Sequence, residues 1–352
     1  MKTIYRRDFI KLMGISSASV TASSFVRAAG GSAVHVVVVG GGFAGSTAAK
    51  HLRLWSNNTV DVTVIDPSTA HVSCVMSNLV VNRQLNMSDI TFEHAMLAQK
   101  YGVKFINSTV TGLDSGFDSK LVTLANGETL ACDFVVLAPG IAFDSIPGLD
   151  SNLVPHAWVA GPQTELLRDQ LQDMPAGGTF VMTVPKAPYR CPPGPYERAC
   201  VVADILKKKG GGKVVVLDMN DKIIVEEHMF SSAFSEIYGD IVEYIPGVSI
   251  NEVDSHNRII DTSEGTFAAD VLNVIPTHRA GKIISDLGFN TVAGRWADVN
   301  PISYELTSDT GVYVIGDSGG TGQPKSGHMA NSQAKVCADA ILRVVAGLPV
   351  DS

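Results

Sequence analysis

The chain has 352 residues, of which 45% are hydrophobic and 18% charged, and its formal net charge is −8. Length and composition predict a globular protein of two domains and argue against a fibrous or low-complexity chain. The acidic balance argues against nucleic-acid binding, because a phosphate backbone needs clustered Lys and Arg, and it suits a basic protein partner. No window approaches the run of about 20 apolar residues that a spanning helix requires, so we expect no membrane span.

The first 29 residues are predicted to be a twin-arginine export signal. Arg6 and Arg7 precede an apolar, small-residue stretch, and cleavage is expected near Ala28 or Ala29. A basic, amphipathic first helix is the alternative. Because this route carries folded proteins, the signal predicts a periplasmic protein that receives its cofactor before export.

A strand, a glycine-rich turn, a helix and a second strand then follow in order. Residues 34–39 (VHVVVV) predict a strand, residues 46–54 a helix, and residues 60–65 (VDVTVI) a strand that ends at Asp66. The turn at residues 40–45 reads GGGFAG, which is the G-x-G-x-x-G pattern of a dinucleotide-binding βαβ unit.

Each residue of this fingerprint has a physical task. Gly40 permits the tight turn, Gly42 lets the backbone approach a pyrophosphate, and Gly45 lets helix and strand pack closely. Asp66 is placed to accept hydrogen bonds from a ribose hydroxyl and would repel a 2′-phosphate, which disfavours NADP. The fingerprint alone does not separate NAD from FAD.

Two later motifs favour FAD. Residues 134–140 (FVVLAPG) and 310–317 (TGVYVIGD) each predict a buried strand that runs into a glycine turn. Both resemble motifs of the FAD domain in glutathione-reductase-like flavoproteins. That resemblance implies that Gly316 and Asp317 contact the cofactor, with Asp317 on the ribityl chain; a simple turn cap is the alternative for Asp317.

A second βαβ unit is predicted at residues 179–217, but its turn has changed. Residues 185–195 contain five prolines and a single glycine, so the loop lacks the backbone donors that hold a pyrophosphate. This unit is therefore not expected to use nicotinamide. Cys191 lies in this loop beside Arg190 and close to a helix start, which favours a functional thiolate over an inert thiol, whereas Cys200 is expected in the core.

The cysteines indicate neither a disulfide scaffold nor a metal site. Five cysteines are too few and odd in number, no C-x-x-C pair is present for zinc, and no C-x-x-C-H is present for a haem of the chain's own.

Several stretches resemble the flavoprotein subunit of flavocytochrome c sulfide dehydrogenase. The most specific is residues 189–199 (YRCPPGPYERA), and the others are residues 155–158, 279–283, 324–327 and 330–333. The resemblance extends over residues 34–348.

The resemblance implies FAD joined through a thioether at its 8α carbon, at the matching Cys74; a free cysteine beside non-covalent FAD is the alternative. It implies that Cys191 takes up sulfide as a persulfide, with Glu197 as the base. Electrons would pass through FAD to a haem on a separate cytochrome c subunit.

One departure from the family concerns the second redox cysteine, which the family carries in a further C-terminal domain. We expect this chain to be either a fragment or the product of a shortened gene with altered chemistry, and Cys337 does not match that position. The competing interpretations are a sulfide:quinone reductase and a non-catalytic flavin-binding electron-transfer protein. An NADH-dependent disulfide reductase is disfavoured by the missing second fingerprint.

The predicted fold class is α/β, with two Rossmann-like dinucleotide-binding domains, the second inserted in the first. We expect the FAD domain at residues 33–155 and 275–352, and the central domain at residues 156–274.

Overall fold

The structure, a computed structural model, describes residues 33–116 and 119–350. The predicted export signal at residues 1–29 lies outside the described residues. The strands are β1 His35–Val39, β2 Asp61–Asp66, β3 Ala70–Val72, β4 Thr91–Glu93, β5 Lys104–Asn107, β6 Val110–Asp114, β7 Lys120–Leu124, β8 Thr129–Cys132, β9 Phe134–Leu137, β10 Ile141–Phe143, β11 Thr179–Val184, β12 Lys213–Asp218, β13 Val242–Ile245, β14 Ile250–Asp254, β15 Ile259–Thr262, β16 Gly265–Ala268, β17 Val271–Asn273, β18 His278–Ala280, β19 Thr291–Val292, β20 Trp296–Ala297 and β21 Val312–Val314. The α-helices are α1 Phe43–Trp55, α2 Ser77–Val81, α3 Ala95–Tyr101, α4 Pro162–Asp173, α5 Gly194–Lys208, α6 Glu227–Ser232, α7 Lys282–Asp286 and α8 Gly327–Val345.

The first sheet is parallel and has the strand order β21-β9-β1-β2-β5. Its central strand β1 is a run of valines, and Val36, Val37 and Val38 are fully buried. A strand that is covered on both faces can be apolar throughout, which is why this run does not alternate. The carboxyl ends of all five strands meet at one edge of the sheet, where ligands bind in open α/β folds.

Helices α1 and α8 pack against each other beside this sheet. Their buried faces are rich in small residues, among them Ala48 and Ala49 on α1 and Ala334 and Ala338 on α8. Small side chains allow the two helix backbones to approach closely. Ser326 caps α8, because its side-chain oxygen accepts a hydrogen bond from the amide of Met329 at 3.2 Å.

A second parallel sheet, of order β13-β12-β11-β17, is formed by residues that lie between β9 and β21 in the chain. The predicted α/β fold, with two Rossmann-like units and the second inserted in the first, is therefore confirmed. Strand β10 on the outward path pairs antiparallel with β18 on the return path. The domain boundaries at residues 155 and 274 stay predictions.

Within residues 33–116 and 119–350, no helix is long and apolar enough to cross a membrane. The same residues contain no group of three or more His, Cys, Asp or Glu side chains that could hold a metal ion.

Candidate functional site

A cavity of about 750 Å³ opens at the carboxyl edge of the first sheet. Its volume lies within the range of cofactor sites, roughly 300–1,000 Å³. Seven of the residues singled out from the sequence line it: Gly40, Gly42, Asp66, Cys74, Cys191, Gly316 and Asp317. The fold thus brings the fingerprint turn, the final glycine motif and two cysteines around one space.

The glycine turn between β1 and α1 is sterically constrained at two of its three positions. Gly40 has a φ of +101°, and a Cβ there would lie 2.4 Å from the carbonyl oxygen of Ala138. A Cβ on Gly45 would lie 1.8 Å from the carbonyl oxygen of Gly40, so only glycine lets α1 pack this closely. A Cβ on Gly42 would approach only the His71 ring, at 3.7 Å, and Gly42 lines the cavity.

These positions predict that alanine at Gly45 mainly reduces stability, whereas alanine at Gly42 mainly weakens FAD binding. Gly45→Ala should lower the free energy of unfolding by about 3 kcal/mol or more, because backbone must move to admit the methyl group. Gly42→Ala should leave the stability of the FAD-free protein nearly unchanged but weaken FAD binding, because the methyl group stands where a pyrophosphate would approach. Urea unfolding and FAD titration of both variants would test this; equal loss of stability in both would contradict it.

Asp66 ends β2 and faces the cavity. Its Oδ2 accepts a hydrogen bond from the Gly41 amide at 2.6 Å, and its Oδ1 accepts one from the Ser68 amide at 2.8 Å. Two backbone donors fix the carboxylate, and each of its oxygens keeps a lone pair for a hydroxyl group. The arrangement is suited to a ribose, although the ribose contact itself stays a prediction.

His71 is a cavity residue that the sequence did not single out as a binding residue. Its Nε2 is buried and has no hydrogen-bond partner among the described residues, and its ring packs edge-on against Phe43. Burial lowers the pKa of His71, so the ring is neutral. A buried ring nitrogen without a partner beside a cavity fits a site whose ligand supplies the partner. The only local sign was its position three residues before Cys74.

Asp317 follows β21 and forms an ion pair with Arg190. Arg190 Nε donates to Asp317 Oδ2 at 2.6 Å, and both side chains are mostly buried. Lys325 supports the same turn, because its Nζ donates to the carbonyl oxygens of Asp317 and Gly319. The ion pair connects the turn after β21 to the proline-rich loop at residues 185–195. The predicted ribityl contact of Asp317 stays a prediction.

Cys191 is held by its backbone in the left-handed region, with a φ of +56°. Its amide donates to the Lys325 carbonyl at 2.7 Å, and its carbonyl accepts from the Gly194 amide at 2.9 Å. Burial raises the pKa of the Cys191 thiol to about 11, and the nearby Glu197 carboxylate adds to that increase. The thiolate expected from the sequence is therefore corrected: Arg190 is engaged by Asp317, and burial outweighs the helix start, so Cys191 is a thiol at neutral pH.

Glu197 lies in the first turn of α5 and is exposed, and it does not line the cavity. Partial desolvation raises the pKa of its carboxyl, with a further contribution from Glu226. It is nevertheless close enough to Cys191 to act on its ionisation. Glu197 is thus exposed to solvent while its charge acts on the thiol.

Cys74 follows β3 and is half-buried on the cavity wall. Burial raises the pKa of its thiol, while the Arg190 cation acts in the opposite direction. All five cysteines are free, so neither Cys74 nor Cys191 is committed to a disulfide.

The corresponding place in the second sheet is filled by the protein's own side chains. Asp218 ends β12, where a ribose-binding carboxylate would lie, and it is fully buried. Its Oδ2 accepts hydrogen bonds from the hydroxyls of Tyr196 and Tyr244, both at 2.8 Å, and its Oδ1 accepts from Asn220. This carboxylate has its partners without a nucleotide.

Fold and site together define a flavoprotein oxidoreductase of the FAD/NAD(P)-binding Rossmann type. Residues 34–173 match the family described as pyridine nucleotide-disulphide oxidoreductase. Two solved structures share the fold. The sulfide:quinone oxidoreductase of Aquifex aeolicus has a TM-score of 0.78 at 18% identity, covering 90% of this chain and 78% of that one. The NAD-dependent persulfide reductase of A. fulgidus has a TM-score of 0.71 at 18% identity, covering 91% of this chain and 60% of that one.

A narrower assignment comes from the central residues and a curated relative. Residues 164–276 match the family described as the central part of the flavoprotein chain of sulfide dehydrogenase [flavocytochrome c]. The flavoprotein chain of that enzyme from Chlorobaculum thiosulfatiphilum is 51% identical over 45 residues, which are 13% of this chain and 92% of that sequence. The chain belongs to the family of the flavocytochrome c sulfide dehydrogenase flavoprotein.

Proposed function

We propose that this protein oxidises sulfide at Cys191 and passes the electrons through FAD to a cytochrome c subunit. The observation that carries the proposal is that Cys74 and Cys191 line the same cavity as the dinucleotide turn. A sulfur atom bound to Cys191 would therefore share that space with the cofactor. The family supports sulfide as the substrate.

The residues that would hold the cofactor are Gly40, Gly42, Asp66, Gly316 and Asp317, all on the cavity wall. When bound, FAD supplies a two-electron acceptor that can release its electrons one at a time. The protein's own residues act on the sulfur atoms. The Cys191 thiolate and hydrosulfide form a persulfide, with the loss of one proton and of two electrons. Glu197 accepts the thiol proton and, being exposed, can pass it to solvent.

Cys74 is the residue proposed to carry FAD covalently. A thioether at this position would replace the Cys74 S–H bond and one C–H bond of the flavin 8α methyl group, and the flavin would take up the two electrons and two protons released. Half-burial of Cys74 on the cavity wall supports this role.

The proposed partner is a cytochrome c subunit, and the proposed location is the periplasm, reached by the twin-arginine route. The name of the Chlorobaculum relative, which couples a flavoprotein chain to flavocytochrome c, supports the partner. The formal charge of −8 suits a basic electron acceptor. The adjacent Arg6 and Arg7 support the route.

An anaerobic titration of the FAD-loaded protein with sulfide would test the proposal. Sulfide should bleach the flavin absorbance, and a c-type cytochrome should restore it faster than a soluble quinone does. Restoration by quinone alone would favour a sulfide:quinone reductase. Absence of bleaching would contradict sulfide oxidation and favour a non-catalytic electron-transfer protein.

The pH dependence of bleaching tests Glu197. Its pKa is raised, and a carboxyl acts as a base only above its pKa, so the rate should fall as the pH falls through that value. Glu197→Gln should slow bleaching by on the order of 10²-fold and remove this dependence. Sulfide ionises identically with both proteins, so the difference between their profiles isolates Glu197.

Alkylation of Cys191 by iodoacetamide provides the control for Glu197→Gln. Since the Glu197 carboxylate raises the pKa of Cys191, its removal should speed alkylation while it slows bleaching. Slowing of both reactions would indicate a disturbed site and would contradict the role as base.

A further inference from the structure

Arg198 is a buried cation whose hydrogen-bond partners are all neutral. It is 1% exposed and lies on α5, immediately after Glu197. Its acceptors are Asn78 Oδ1 at 3.0 Å, Asn273 Oδ1 at 3.1 Å, the His156 carbonyl at 3.2 Å and the Ala157 carbonyl at 2.7 Å. Its guanidinium carbon also lies 4.8 Å from the centre of the Trp158 ring.

No carboxylate among the described residues pairs with Arg198. Burying a cation without an anion is costly, and buried charges in proteins are usually paired. Burial lowers the pKa of Arg198 to about 9, which still leaves it charged at neutral pH. The structure therefore maintains a fixed positive charge in the core of the second unit.

Cys191 can supply a compensating negative charge once its thiol is ionised. Gly194 lies between the Trp158 ring, which contacts Arg198, and the Cys191 sulfur. A Cβ on Gly194 would lie 2.9 Å from Trp158 Cη2 and 3.0 Å from Cys191 Sγ. An ionised Cys191 stabilises the Arg198 cation, and Arg198 in turn lowers the pKa of Cys191. Glu197 and Cys74 raise the pKa of Cys191, and Cys191 in turn raises the pKa of Arg190 and of Tyr189.

We propose that Arg198 is a positioning residue that serves as counter-cation to the sulfur anion on Cys191, first the thiolate and then the persulfide. This inference rests on the proposed uptake of sulfide at Cys191. The negative charge develops in a site of low dielectric, where a fixed cation stabilises it more strongly than water-exposed charges do. Because four hydrogen bonds hold the guanidinium in place before the charge appears, it need not reorganise.

The same network ties the two cysteine segments together. Asn78, which receives the Arg198 Nε–H, lies on α2, four residues after Cys74, and its Nδ2 donates to the Gly194 carbonyl at 3.4 Å. Arg198, on helix α5 after Cys191, thus contacts helix α2, which follows Cys74.

The test is the rate at which iodoacetamide alkylates Cys191 at pH 8 in the FAD-loaded protein, followed by mass spectrometry of the Cys191 peptide. Arg198→Met should slow alkylation about three- to four-fold for each unit by which the Cys191 pKa rises, because loss of thiolate is only partly offset by greater nucleophilicity. Arg198→Lys should keep a rate close to that of the unaltered protein. Arg258→Met, at an exposed arginine that donates to a backbone carbonyl, is the control and should change nothing.

A purely structural role for Arg198 predicts the opposite sign. Loosening of the loop would expose Cys191 and speed its alkylation in both Arg198 variants, and that result would overturn the proposal. Asn78→Asp tests the proposal even if the Arg198 variants fail to fold, because it leaves Arg198 in place and gives it a carboxylate partner. It should slow alkylation because the new carboxylate pairs with the Arg198 cation, while the Asn78 Nδ2 hydrogen bond to the Gly194 carbonyl is lost. An unchanged rate would also overturn the proposal.

Failure of this inference can be told apart from failure of the proposed function. Alkylation needs no sulfide, so a faster or unchanged rate in Arg198→Met or in Asn78→Asp overturns the role of Arg198 even in a protein that sulfide bleaches. Slower alkylation in a protein that sulfide does not bleach supports the charge pairing and contradicts only the substrate.

Discussion

Replacement of Cys191 by serine is expected to abolish bleaching of the flavin by sulfide, with a loss of more than about 10³-fold in rate. Serine retains the size and the backbone conformation of the loop, but its oxygen cannot form the persulfide. FAD should stay bound, because the glycine turn and Asp66 hold it independently of this loop. Stopped-flow absorbance at a fixed sulfide concentration would measure the rate.

Cys200→Ser is the matched control for that experiment. Cys200 lies on the same helix α5, is half-buried, and has a pKa that burial likewise raises to about 11. It does not line the cavity. The control should bleach at the rate of the unaltered protein. Bleaching of Cys191→Ser at that same rate would show that sulfide reduces the flavin without this cysteine.

The parts of the site that the sequence predicted are those set by local backbone requirements. Gly40 and Gly45 of the first turn were predictable because each is required by a backbone contact of one or two atoms, such as that between Gly45 and the Gly40 carbonyl. The return of the chain to the first sheet was also predictable, because the motif at Gly316 needed to reach the same cofactor. Strand β21 does pair with β9 of that sheet.

The parts that the sequence could not predict depend on long-range pairing and burial. The neighbour Arg190 suggested a thiolate at Cys191, but its guanidinium bonds to Asp317, 127 residues away, and burial keeps the thiol protonated. Glu197 was expected in the site, yet it lies outside the cavity wall. The sequence predicted no role for Arg198 beyond its place in residues 189–199, since its hydrogen-bond partners come from three other segments of the chain.

Replacement of Cys74 by serine is expected to turn a covalently held flavin into a released one. Acid precipitation of the unaltered, mature protein should leave the yellow colour in the pellet, and the Cys74 peptide should carry the added mass of the flavin. With Cys74→Ser nearly all of the flavin should appear in the supernatant, because a hydroxyl in place of the thiol leaves only non-covalent contacts. Cys200→Ser should behave as the unaltered protein.

The two ways in which this expectation can fail have different meanings. Flavin in the supernatant from the unaltered protein would show that Cys74 is a free thiol beside non-covalent FAD. The site of Gly40, Gly42 and Asp66 would still stand, since none of its contacts involves Cys74. Flavin in the pellet from Cys74→Ser would instead place the attachment at another residue, and Cys191, which lines the same cavity, would be examined first. Attachment there would remove the thiol that the proposed sulfide chemistry requires, so this one experiment also bears on the role of Cys191.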